Sequence, residues 1–81
     1  MHEERYEGTL EGFRYDKSKG DLVLRILEDT SNESVEVKAI ASPIFFERFI
    51  LRPFEKGYNG KIVAVLQVGA NFSRYKNVQR K

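Results

Sequence analysis

The sequence predicts a mainly β, single-domain protein of five strands with one short helix between the third and fourth. Three observations carry this expectation. Apolar residues recur mostly with a period of two, the spacing that puts one face of a strand on a core. The apolar phase of the first segment slips at a glycine, Gly12. A Ser-Pro pair, Ser42-Pro43, opens a short stretch carrying three phenylalanines between the third and fourth of the β segments.

The first strand runs from Tyr6 to Tyr15, with Tyr6 and Leu10 in one phase and Phe13 and Tyr15 in the other. A slip of one residue moves side chains to the opposite face, so a bulge or sharp coil is expected near Gly12. Asp16 to Asp21 reads as a hairpin loop in which Gly20 supplies a positive φ. Leu22 to Leu27 follows as the second strand, with Leu22, Leu24 and Ile26 inward and Val23, Arg25 and Leu27 outward. After the polar turn Thr30 to Ser34, the third strand Val35 to Ala39 alternates cleanly, with Val35, Val37 and Ala39 inward.

Ser42 is a helix N-cap, and Pro43 at the first helical position loses no hydrogen bond. The helix is expected over Pro43 to Leu51 and to stop before Pro53. Its phenylalanines read as core. Lys61 to Val68 is β-branched on both faces, as a centrally placed strand requires. Phe72 to Gln79 alternates as a fifth, solvent-edged strand, and Tyr58 in the turn before strand four reads as a cover for one end.

Composition narrows the function. The chain has 81 residues, no cysteine and a single histidine, His2, beside a terminus expected to fray. Thiolate metal sites, disulfides and most acid/base constellations are thereby removed. No nucleophile elbow, phosphate loop or metal-binding His pair is present, and Glu3-Glu4 and Glu28-Asp29 are neighbours that do not converge on one point. The expectation is a protein that is not an enzyme, with no cofactor and no metal. No apolar leader opens the sequence, so the expected compartment is the cytoplasm, with no membrane partner.

Net charge is +2, but residues 1–41 carry −4 and residues 42–81 carry +6. A basic half is what a polyanion-binding surface needs, since each cation near a phosphate releases a counterion.

The order of elements, the slip at Gly12 and the plug-like helix resemble the OB-fold, a small five-stranded Greek-key barrel. The resemblance covers the whole chain, 1–81. Gly60-Lys61 and the string Asn71-Phe72-Ser73-Arg74-Tyr75-Lys76-Asn77-Val78 look like the closing hairpin of OB-fold single-stranded DNA-binding proteins of phage and prokaryotes. An SH3-like barrel is the structural rival, but its helical turn usually falls between strands four and five. The resemblance implies a binding surface across strands two and three and the adjoining loops. Projected onto this sequence, that surface gathers Arg14, Tyr15, Lys17, Arg25, Lys38, Phe72, Arg74, Tyr75 and Lys76, with Phe13 and Lys19 beside them. Cations would track phosphates and aromatic rings would stack on bases. Phe13 reads either as platform or as core, whereas Tyr15 and above all Tyr75 are the expected platforms. The implied function is non-catalytic binding of single-stranded nucleic acid, DNA favoured over RNA. The alternative is a protein-interaction or assembly module, possible homodimer included, whose outer face exposes Val23, Leu27 and Ile40.

Overall fold

The computed structural model describes residues 1–57 and 60–81. Its strands are β1 (His2–Asp16), β2 (Asp21–Glu28), β3 (Ser34–Ile40), β4 (Lys61–Val68) and β5 (Ser73–Arg80), in one sheet. The order is β1-β2-β3-β5-β4, and β4 pairs back onto β1, so the ladder runs as a ring. Its weakest link is β3 to β5, a parallel contact of the single pair Ile40 and Arg74.

β1 is long enough to serve two neighbours. His2 to Thr9 pairs with β4 while Gly8 to Asp16 pairs with β2, and the register shifts between Leu10 and Gly12. Glu11 is the extra residue of this bulge, which is the slip legible at Gly12. The strand begins earlier than expected because His2 to Arg5 has a partner in β4, which holds a terminus that otherwise frays. Beside the bend, Gly8 lies so close to β2 that a Cβ there would stand 2.0 Å from the Leu27 carbonyl oxygen. The hairpin loop forms as expected, with Gly20 at φ +74° and Asp16 accepting from Ser18 and Lys19 amides.

The helix departs from expectation at its end. Helix α1 (Pro43–Phe46) is capped by the Ser42 hydroxyl, which accepts from the Phe45 amide at 3.1 Å. A π-helical turn (Glu47–Leu51) and then α2 (Arg52–Glu55) follow without interruption, so Pro53 lies inside the helix. The wide turn explains how. Arg52 donates to the Glu47 carbonyl five residues back, and this wider spacing relieves the clash that a proline ring makes one α-turn behind it. Tyr58 lies outside the described residues.

The core joins Leu10, Leu22, Leu24, Ile26, Val37, Ala39, Ile50, Ile62, Ala64, Leu66, Tyr75 and Val78. The inward phases expected of β2 and β3 hold, with Val35 half-buried and packed against the core. In β5 a register shift opposite Val65 and Leu66 makes Lys76 the extra residue, so Tyr75 and Val78, three apart, both face inward. No helix among the described residues is long and apolar enough to cross a membrane.

Candidate functional site

The outer surface of β1, β2 and β3 is built by alternation. After the bulge, Phe13 and Tyr15 turn inward opposite Leu24 and Leu22, and Arg14 between them turns out beside Val23. Val23 in turn faces Lys38, and Arg25 faces Glu36. Arg14, Arg25 and Lys38 therefore share one face, as the resemblance implied. Two shallow depressions run together over it, sharing Arg14 and Val23. One, of about 180 Å³, is lined by Gly12, Phe13, Arg14, Val23, Arg25 and Glu36. The other, of about 190 Å³, is lined by Arg14, Asp16, Lys19, Asp21, Val23 and Lys38. Gly12 lines the first of these depressions, and nothing lies within 4 Å of where its Cβ would be.

Charge is distributed differently from the sequence halves. Across β1, β4 and β5 the cations of the second half meet the carboxylates of the first: Lys76 with Glu3, Lys81 with Glu7 at 2.9 Å, and Lys61 with Asp29 at 3.1 Å. The two bonds from Lys81 and Arg5 hold the Glu7 carboxyl below the usual carboxylate range. Folding thus neutralises much of the basic half, Lys76 included. On the trough, by contrast, Arg14, Arg25 and Lys19 have no carboxylate within 4.0 Å among the described residues, and Lys38 has only Asp21 at 3.8 Å; Lys17, in the adjoining hairpin loop, lines neither depression.

The aromatic half of the expected surface is the part that folding reassigns. Tyr75 is 4% exposed and its hydroxyl lies 2.7 Å from the Val37 carbonyl oxygen and 3.1 Å from that of Leu22. Burial pushes its ionisation well above that of an ordinary tyrosine. It is a core strut between β5 and the β2–β3 pair, and not the stacking platform expected of it. Tyr15 donates to the Ala41 carbonyl at 2.8 Å and lies flat against Phe46, ring centroids 4.4 Å apart. One face and the hydroxyl are thereby occupied. Phe13 packs edge-on to Phe46 and Phe54, which decides its two readings in favour of packing.

Phe72 remains outside, half exposed, with the Arg74 guanidinium 5.6 Å from its ring centroid. Arg74 stands next to Ile40, which is paired with Asp21 at the end of the trough, so Phe72 and Arg74 extend that surface. Comparison with models of protein families, with curated proteins and with solved structures finds no match for the chain.

The apolar outer face expected of Val23, Leu27 and Ile40 is not continuous. Val23 is only 9% exposed and pairs with Arg14 on one side and Lys38 on the other. Arg25 separates it from Leu27, and only Ile40 is substantially exposed. Sequence reasoning missed Gly12 as a lining residue of the trough, although its place two residues before Arg14, at the slip of the strand, was a usable signal. Among the described residues no group of three or more His, Cys, Asp or Glu converges as metal ligands do.

Proposed function

We propose that the chain is an OB-like barrel that binds single-stranded nucleic acid without catalysis, the phosphates following the trough over β1, β2 and β3. The architecture supports the barrel reading: β1, β2 and β3 form a meander and β4 returns through the helix to lie beside β1, which is a Greek-key connection. The observation that carries the functional reading is the contrast in charge. Lys61, Lys76 and Lys81 on the far side of the sheet are each held by a carboxylate, whereas Arg14 and Arg25, which line the trough beside Glu36, have none within 4.0 Å among the described residues. Exposed arginines at a concave surface attract phosphates and release counterions when they bind.

Stacking has a smaller part than the sequence implied. Phe72 is the exposed ring at this surface, and the two tyrosines contribute by shaping it from beneath. Affinity is accordingly led by phosphate contacts, with DNA favoured over RNA by the resemblance of the closing hairpin alone.

Fluorescence anisotropy with labelled oligo(dT), oligo(rU) and a matching duplex, at low and moderate salt, tests the reading. Single strands are expected to bind more tightly than the duplex, with affinity falling as salt rises. Arg14→Gln and Arg25→Gln should each flatten the dependence of log K on log salt by about 0.7. Absence of binding at low salt, or equal affinity for the duplex, overturns it.

A further inference from the structure

Where the strand ring is thinnest it opens into a groove. Beside the lone pair of Ile40 and Arg74, a groove of about 360 Å³ is lined by Ile40, Ala41, Ser42, Phe45, Arg74 and Tyr75. That volume is within the range of small-molecule sites. Its walls are apolar and partly aromatic: the Phe45 ring lies between Phe49 at 4.6 Å and Tyr75 at 6.1 Å, and Ile40 is 39% exposed. Two polar groups face this setting. Arg74 is the sole charged lining residue, and the Ser42 oxygen accepts from the Phe45 amide, which leaves its hydroxyl proton available to a further acceptor.

These features select their occupant. A neutral aliphatic side chain offers nothing to Arg74 or Ser42, and an acidic side chain offers nothing to the ring of Phe45. A flat ring with acceptors on its edge, joined to an anion, meets all of them. We propose that the groove holds one unstacked base of a bound single strand, the base lying on Ile40 and meeting the edge of the Phe45 ring, with its phosphate on Arg74. The inference rests on the reading of the trough as a phosphate track. The two surfaces are continuous: Ile40 pairs with Asp21, which lines the trough and meets Lys38.

The test uses the full chain with short oligo(dT), followed by amide chemical shifts and by the affinity of Ile40→Ser. Ile40 points out of the core, and a thermal melt checks that the variant folds. Shifts at residues 40–45 together with those at Arg14 and Arg25, and a roughly tenfold loss of affinity in Ile40→Ser, are the expected results. Arg74→Gln is the second variant should the first not fold, with a salt dependence flattened by about 0.7. If oligo(dT) binds and shifts the trough amides, while residues 40–45 stay still and the variants bind as wild type, the groove assignment is overturned and the trough reading stands. If oligo(dT) does not bind at all, both fall.

Discussion

Tyr75 shows how one side chain changes role when its surroundings are supplied. In the sequence it sits between Arg74 and Lys76, which makes it look like a ring in a basic setting. In a strand, however, neighbours of a residue point away from it, so flanking cations place the tyrosine on the opposite face. Its hydroxyl serves the Val37 carbonyl on β3, beside the seam where ladder bonds are fewest. Tyr75→Phe should therefore lower stability by about 1–3 kcal/mol, since it strands a buried carbonyl, while the folded variant keeps wild-type affinity for oligo(dT). Denaturant melts and anisotropy on the same sample check both halves. Raised ionisation in the folded state has a definite sign: stability is complete below the unfolded value of 10.0 and is lost as pH rises toward the higher folded value. Alkaline denaturation that shifts in Tyr75→Phe is the corresponding measurement. Gly12 carries the opposite kind of prediction. A side chain there meets open space, so Gly12→Leu should fill the trough and weaken binding with little change in melting temperature.

At the scale of elements, the bulges of β1 and β5 and the wide turn of the helix do most to place the site. The first was legible, because Gly12 interrupts a clear alternation of aromatic and aliphatic residues. The second was not: Lys76 is an ordinary strand residue, and only the pairing of Val65 with Asn77 and Leu66 with Tyr75 reveals the extra position. Pro53 misled for a related reason. A proline signals the end of an α-helix through its clash with the carbonyl one turn back, and a π-turn removes that clash without leaving a mark in the sequence. Two substitutions test these packing statements. Gly8→Ala brings a Cβ against the Leu27 backbone, which cannot give way as a flexible side chain does, so it should unfold the β1–β2 bend or lower the melting temperature severely. Ser42→Ala removes the cap on the Phe45 amide and should cost about 1 kcal/mol in denaturant titrations.

Across the whole molecule, folding brings an acidic amino-terminal half onto a basic carboxy-terminal half. Glu3 and Glu7 meet Lys76 and Lys81 across strands that are more than seventy residues apart in the chain. The carboxyls of Glu4, Glu7 and Asp16 are all held below their ordinary values, the first by Tyr6 and His2, the second by Lys81 and Arg5, the third by Ser18. Their contribution is present above those ordinary values, 4.5 for the glutamates and 3.8 for Asp16, and is lost as pH falls below them. Chemical denaturation at successive acid pH values should show this fall, with the part due to Glu7 reduced by added salt because its bonds to Lys81 and Arg5 are exposed ion pairs. What the sequence by itself determined is what alternation and chain order encode: the five strands, the bend at Gly12, and the inward faces of β2 and β3. These depend on residues next to each other in the chain. Only the tertiary structure decided which cations keep a partner, that Tyr15 and Tyr75 are held by distant carbonyls, and that a groove opens beside Ile40 and Arg74. Those outcomes depend on groups that meet only when β4 returns to β1 and β5 reaches β3, and strand periodicity carries no record of which distant neighbour will be there.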